Sequence, residues 1–125
     1  MAKAQPGSIG WVDLTVPDAE SVRDFYAAVA GWQPAPVDMG GYSDYTMSPP
    51  KSKKPVAGVC HQRGVNAAFP SAWIIYIIVP NLAVSLRKCG KLGGKVLVGP
   101  KKMGGSRYAV ISDPSGAVCG LYQPA

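Results

Sequence analysis

The strongest constraint on the fold is an internal repeat that covers nearly all of the 125 residues. Residues 8–63 predict a strand, a helix and three strands, and residues 71–123 predict the same order again. Val16-Pro17-Asp18 aligns with Val79-Pro80-Asn81, a period of about 63 residues, which is longer than the periods of solenoid repeats. We therefore expect an α+β fold built from two βαβββ units within one domain, residues 1–125.

Both predicted helices carry start signals. Asp18 is a good N-cap for the first helix, which Gly31 ends, and Asn81 is the expected N-cap of the second. The glycines after "CGKL" close the second helix. Each helix also has an apolar stripe at helical spacing, formed in the first by Val22, Phe25, Tyr26 and Val29 and in the second by Leu82, Leu86 and Cys89.

The first strand, IGWVDLTV at residues 9–16, has two different faces. Val12, Leu14 and Val16 form an apolar face that suits packing against a helix, whereas the alternate residues mix an indole, a carboxylate and a hydroxyl. Among the other strands, prolines mark residues 32–38 as an edge or irregular strand. Residues 98–108, VGPKKMGGSRY, are predicted to form a mobile loop whose cations could attract an acidic ligand.

Composition removes several function classes. Cys60, Cys89 and Cys119 form no CxxC pair, so neither a disulfide framework nor a zinc knuckle is supported, and we expect small buried side chains there. No cofactor is expected. The chain has one histidine, His61, and one glutamate, so the usual metal ligands and general bases are scarce. A structural role is favoured over a catalytic one for His61, because no carboxylate partner is evident to orient it.

Charge is distributed unevenly, with two basic and six acidic groups in residues 1–50 but eleven basic groups and only Asp113 in residues 51–125. This split has three possible interpretations: the protein binds an anionic partner, the two halves of the chain attract each other, or the lysines are simply solvated on the surface. No basic stripe interleaved with aromatic residues indicates nucleic-acid binding. The longest apolar run, AWIIYIIV, is too short to span a bilayer and the first residues lack a signal-peptide core, so a cytoplasmic protein is expected.

The sequence resembles the vicinal oxygen chelate superfamily, which includes glyoxalases, bleomycin-resistance proteins and extradiol dioxygenases. The resemblance rests on WVDLTVPDAESVRDFYAAVAGW, with its Asp-capped helix, "FY" pair and closing "GW", and on KLGGKV and DPSGAVCGLYQP in the second unit. It implies a U-shaped open barrel with helices outside and a ligand cavity inside. In metal-dependent members four side chains hold a cation, and these positions correspond to Trp11, Gly58, Ile74 and Gly120, none of which can ligate a metal.

Alternation along the strands places a set of residues on the cavity side. The predicted ligand-binding residues are Trp11, Asp13, Thr15, Gly58, Ile74, Tyr76, Gly120 and Tyr122. The alternative interpretation is that the aromatic side chains only fill the barrel. Asp13 is the candidate catalytic residue, because a desolvated carboxylate can serve as a general base, although a carboxylate bonded to a neighbouring strand at the rim would have no such role.

The resemblance and the lost ligand positions together predict a metal-independent binding protein for a small organic molecule with a flat or hydrophobic part. The alternative is an enzyme, either a lyase or isomerase of the glyoxalase type or a relative of the dioxygenases. The family resemblance also implies a homodimer, and the exposed edge at residues 32–38 is a surface that a partner could cover.

Overall fold

The computed structural model describes residues 5–125, except for the side chain of Val65. Within these residues the chain forms ten regular elements and a short 3-10 helix, Gly64–Asn66. In order they are β1 (Ile9–Val16), α1 (Ala19–Ala30), β2 (Gln33–Asp38), β3 (Ser43–Ser48), β4 (Ala57–His61), β5 (Trp73–Ile78), α2 (Leu82–Lys91), β6 (Lys95–Met103), β7 (Ser106–Ser112) and β8 (Val118–Gln123). This order confirms the predicted α+β fold of two βαβββ repeats.

The chain divides into two compact units, each with its own helix. The α1 unit comprises Val12–Trp73, and the α2 unit comprises Met1–Trp11 together with Ile74–Ala125. In the α1 unit the strand order is β2-β3-β4-β1, and in the α2 unit it is β5-β8-β7-β6. Each repeat pairs its first strand parallel to its last, β1 with β4 and β5 with β8, and its remaining pairs are antiparallel. The two repeats thus share one topology.

Helix α1 begins and ends at the predicted residues. The Asp18 carboxylate accepts a hydrogen bond from the Ser21 backbone N–H at 3.1 Å, and Gly31 ends the helix with φ of 73°. That left-handed conformation favours glycine because a β-carbon is strained there. Both ends of this 12-residue helix thus have a residue that suits the local geometry, a capping carboxylate at the start and a glycine at the end.

The core of the α1 unit lies between α1 and one face of its strands. The buried residues there are Leu14, Val16, Ala19, Tyr45, Met47 and Val59, and Val22, Tyr26 and Trp32 pack against them. The predicted stripe was wrong for two members, since Phe25 is 55% and Val29 67% exposed. Val22 and Tyr26 make the contact as predicted, together with Ala19, so the buried stripe is narrower than the apolar spacing indicated.

The α2 unit is built in the same way. Leu82 of α2 packs against Ala109, Ile111 and Leu121, with Leu86 and Cys89 partly buried beside them. Asn81 caps the helix by accepting a hydrogen bond from the Val84 N–H at 3.1 Å. The cap and the apolar stripe were both predicted correctly. The predicted mobile loop at residues 98–108 was wrong, because most of these residues belong to β6 and β7.

A shift in strand register explains that error. Val98 pairs with Val110 and Lys101 with Tyr108, so β6 has one more residue than β7 between these pairs. Gly99 takes a positive φ of 90° and Pro100 follows it, which accommodates the extra residue as a bulge and lets the strand continue. The glycine and proline that indicated a loop therefore mark an irregularity within a strand.

Strand β2 is the edge strand that its prolines predicted. Its six residues pair with β3 over their whole length, and all six are exposed. Pro34 and Pro36 occupy alternate positions of the strand. Neither helix in the described part of the chain is long and apolar enough to cross a membrane.

Candidate functional site

Three predicted site residues lie together in the α1 unit, on the sheet face opposite α1. Asp13 pairs with Gly58 across the β1–β4 ladder, and directly opposite residues present their side chains to the same face. Thr15 is two residues beyond Asp13, so it shares that face and is almost completely buried. Asp13 is partly buried and has an interaction partner. Asp13, Thr15 and Gly58 thus share one face of the β1–β4 pair.

Cys60 belongs to the same face, although the sequence did not single it out. It pairs with Thr15 in the parallel ladder. Burial is the main factor that raises the pKa of the Cys60 thiol, and the Asp13 and Asp44 carboxylates raise it further. A thiol held protonated is a poor nucleophile and a poor metal ligand. Cys60 therefore contributes a small, neutral surface beside Asp13.

The α2 unit carries the larger part of the predicted site, again on the face opposite its helix. Tyr76 pairs with Gly120, and Tyr122 pairs with Ile78, so these residues share one side of the β5–β8 ladder. Ile74 and Tyr76 are buried, whereas Trp11 and Tyr122 are partly buried. Of these four predicted ligand-binding residues, only Trp11 and Tyr122 retain appreciable solvent-accessible surface.

Tyr108 is a further member of this face and was not among the predicted site residues. It pairs with Tyr122 across β7 and β8, and its ring centroid lies 6.5 Å from that of Tyr76, with an interplanar angle of 68°. The signal was present in SRYAVIS, where Ala109 and Ile111 form the face toward α2 and Tyr108 alternates with them. The loop predicted for residues 98–108 hid that alternation.

Gly120 explains how the tyrosine face packs. A β-carbon at position 120 would overlap Cδ2 and Cε2 of the Tyr76 ring. The ring therefore lies flat against the backbone of β8, and position 120 has no room for a side chain while Tyr76 is in place. Glycine is required here by a close approach and not by backbone conformation.

The residues at the four expected metal positions do not fit a divalent cation. The Trp11 indole N–H is only a donor, Ile74 is apolar, and Gly58 and Gly120 have no side chain. At Gly120 the Tyr76 ring occupies the space that a ligating side chain would need. Within residues 5–125, no group of three or more His, Cys, Asp or Glu side chains is placed to hold a metal ion.

His61 lies on the helix side of the sheet, two residues after the core residue Val59, but its surroundings were predicted wrongly. Two carboxylates contact its ring: Glu20 Oε1 is 3.2 Å from Nε2, and Asp44 Oδ1 is 3.4 Å from Nδ1. Asp44 also accepts a hydrogen bond from the His61 backbone N–H at 2.8 Å. These partners come from α1 and β3, far away in sequence, so no local pattern could reveal them. His61 links the start of α1 to β3 and β4.

A shallow groove lies on that same helix side of the α1 unit. It has a volume of about 250 Å³ and is lined by Arg23, Pro34, Pro36, Ser43 and Tyr45. The Arg23 guanidinium is 4.6 Å from the centre of the Tyr45 ring, and its Nε bonds Asp24 at 2.9 Å. The groove's cation is thus already engaged by an aromatic ring and a carboxylate.

Comparison with known proteins agrees with this architecture. The chain is 34% identical over 112 residues to the anthracycline biosynthesis protein DnrV of Streptomyces peucetius, covering 90% of this chain and 40% of that protein. It is 30% identical over 122 residues to "Putative glyoxylase CFP32" of Mycobacterium bovis, covering 94% of this chain and 46% of that protein. The chain thus spans less than half the length of these relatives. No protein-family model matches the sequence.

Solved structures show the same fold at low identity. Methylmalonyl-CoA epimerase from Mycobacterium tuberculosis matches 100% of this chain and 93% of its own, with a TM-score of 0.60 and 18% identity. A glyoxalase/bleomycin resistance protein/dioxygenase superfamily member from Vibrio splendidus 12B01 matches 94% of this chain and 100% of its own, with a TM-score of 0.64 and 8% identity. The chain thus has the fold of the glyoxalase, bleomycin-resistance and dioxygenase superfamily, the vicinal oxygen chelate proteins that its motifs and repeat resemble.

Proposed function

We propose that the protein binds a small organic molecule with a flat aromatic part and that it does so without a metal ion. The observation that carries this proposal is the set of residues at the four expected ligand positions, Trp11, Gly58, Ile74 and Gly120, none of which has a metal-binding side chain. Such residues remove the polar centre of a catalytic metal site and leave apolar surface. Apolar and aromatic surface with a few polar groups is typical of small-molecule sites.

The chemistry of the strand faces supports an aromatic ligand. Tyr76, Tyr108 and Tyr122 place three phenol rings on one face of the α2 unit, and Trp11 adds a partly buried indole to that unit. Aromatic side chains favour stacked and edge-to-face contacts with ligand rings, and their polar tips can bond ring substituents. The relatedness to a protein of anthracycline biosynthesis supports a fused-ring aromatic ligand in particular.

Tryptophan fluorescence offers a direct test, because the chain has three tryptophans. Titration with a hydroxyanthraquinone should quench part of the emission and raise the melting temperature, since a ligand that binds the folded state stabilises it by mass action. Trp11→Phe should remove most of the ligand-induced quenching. Trp73→Phe is the matched control, because Trp73 packs in the aromatic cluster with Tyr26 and Trp32 beside α1.

Metal independence needs its own measurement. Protein purified without chelator should bind the hydroxyanthraquinone with the same affinity before and after dialysis against EDTA. Stoichiometric zinc, iron or manganese in elemental analysis, together with loss of binding on chelation, would contradict the proposal. Saturable binding that is insensitive to chelation would support it.

An enzyme is the second candidate function, favoured by the 30% identity to a protein named as a glyoxylase. In this case Asp13 is the residue proposed to accept a proton, since it is partly buried and borders the neutral Cys60 and the buried Gly58. Asp13→Asn keeps the shape of the side chain but removes the base. Unchanged turnover of an identified substrate by this variant would eliminate the Asp13 mechanism.

We also propose that two chains associate as a homodimer. The exposed Phe25 and Val29 side chains on α1 support this proposal, because they leave apolar surface open to water. Multi-angle light scattering should return twice the 13.1 kDa mass of the chain. A single-chain mass at micromolar concentration would refute the dimer without affecting ligand binding.

A further inference from the structure

A row of three side chains crosses the face of the α2 unit opposite its helix. Lys101 pairs with Tyr108 across β6 and β7, and Tyr108 pairs with Tyr122 across β7 and β8. Directly opposite residues in antiparallel strands place their side chains next to each other on one face. The Lys101 side chain therefore lies on the same face as two tyrosine side chains, at one end of their row, in the part of the sheet that also holds Tyr76.

The orientation of this row is set by the packing of α2. Ala109, Ile111 and Leu121 pack against Leu82, so the residues that alternate with them lie on the other face. Lys102 pairs with Arg107 and is on the α2 side, where both side chains are exposed. Lys101 is partly buried. Two adjacent lysines thus face opposite sides of one strand.

The electrostatic setting of Lys101 favours an anion. Within the described residues, the segments that form the α2 unit carry seven basic side chains and one acidic side chain, Asp113. Asp113 lies in the β7–β8 turn, where its carboxylate accepts hydrogen bonds from the Ser115 and Ala117 backbone N–H groups at 2.8 and 3.0 Å. The one carboxylate side chain of this unit is thus committed to its own turn. An excess of positive charge on one side of a molecule attracts anionic ligands.

We propose that Lys101 is a specificity-determining residue that selects an aromatic acid, binding the ligand's carboxylate while Tyr108 and Tyr122 contact its rings. This inference rests on the proposed function, because it names the chemical class of the aromatic ligand. Hydrogen bonds in which one partner is charged are stronger than neutral ones. An aromatic carboxylate should therefore bind with higher affinity than a neutral analogue of equal shape.

Two probes with the same ring system test the proposal: anthraquinone-2-carboxylate and anthraquinone-2-carboxamide. Wild-type protein at low ionic strength should bind the carboxylate at least about tenfold more tightly than the amide, measured by isothermal titration. Lys101→Met should remove this difference, and Lys101→Arg should retain most of it. Lys102→Met is the matched control, with the same loss of charge on the other face, and should keep the preference. Thermal melting of each variant checks that it is folded.

The outcomes separate this inference from the function on which it rests. If wild type binds both probes with equal affinity, or if Lys102→Met weakens carboxylate binding as much as Lys101→Met, the role of Lys101 is overturned and aromatic binding stands. If neither probe binds the folded wild-type protein at millimolar concentration, the proposed binding of fused-ring aromatic ligands itself is overturned. A preference that is lost in Lys101→Met alone establishes both.

Discussion

The Tyr76 ring lies flat against Gly120, in the space that a β-carbon at position 120 would occupy. The Tyr76 ring fits against β8 only because position 120 has no side chain. This one contact therefore restricts which residues both positions can accept. The same contact blocks a position that the family resemblance assigns to a metal ligand. Overpacking of this kind has a measurable effect on stability.

Gly120→Ala should destabilise the protein by about 1–3 kcal/mol, because the added methyl group forces the Tyr76 ring or the strand to move. Combining it with Tyr76→Ala should cost less than the sum of the two single changes, since the obstructing ring is then absent. Urea unfolding of the four proteins gives the coupling energy. Gly90→Ala is the control: Gly90 lies within α2 with open space around its Cα, so alanine there should stabilise by up to about 1 kcal/mol.

The contacts of His61 predict unequal roles for its two carboxylates. Asp44 is buried and bonds the His61 backbone N–H, so Asp44→Ala leaves that donor unsatisfied and should cost about 1–3 kcal/mol. Glu20 is 62% exposed, and Glu20→Ala should cost less than about 1 kcal/mol. Chemical denaturation of both variants at pH 7 measures the ranking. Equal losses would mean that the contact with Glu20 of α1 contributes as much to stability as the buried bond to Asp44.

Stability in acid should depend on the β7–β8 turn. Hydrogen bonds, first from the Ser115 side chain and then from the Ala117 N–H, lower the pKa of Asp113 in the folded protein. The stabilisation is present above the unfolded pKa near 4 and is lost as pH falls through the lower folded pKa. The decrease in melting temperature below about pH 4 should be shallower in Asp113→Asn than in wild type. Ser115→Ala, which removes the first of these bonds, should lie between them.

Cys60 should react slowly with thiol reagents in the folded protein. Its raised pKa, caused mainly by burial, keeps it protonated at neutral pH, and the thiolate is the reactive form. Iodoacetamide labelling at pH 7.5, followed by peptide mass spectrometry, should leave Cys60 unmodified under conditions that label it fully in urea. Labelling of native Cys60 at the rate seen in urea would show that the thiol is neither buried nor protonated as described.

Local signals in the sequence predicted the helices well. Asp18, Gly31 and Asn81 act through hydrogen bonds and backbone angles within a few residues, and all three have their predicted roles. Burial was harder to predict, because it depends on which side of α1 meets the strands. Phe25 and Val29 have the right spacing for the core, yet α1 turns its Ala19 and Tyr26 side inward.

The strand face on which each candidate-site residue lies could be predicted only where the alternation of side chains could be counted along a strand whose position was clear from the sequence. Asp13, Thr15, Tyr76 and Tyr122 share faces with their predicted neighbours because period two is enforced by the pleat. Tyr108 and Lys101 were hidden by Gly99-Pro100, which is typical of a loop but forms a bulge here. The carboxylates around His61 were invisible, since the chain brings them together only through tertiary packing.

The prolines of β2 have a consequence for association between molecules. In an antiparallel ladder, alternate residues direct their N–H and C=O groups to opposite edges, and proline is tolerated where its nitrogen points away from the partner strand. Pro34 and Pro36 occupy two such successive positions, so the outer edge of β2 offers carbonyl oxygens there but no amide hydrogens. A passing strand from another chain would find acceptors without donors. The exposed border of the α1 unit is thereby protected against the sheet extension that seeds aggregation.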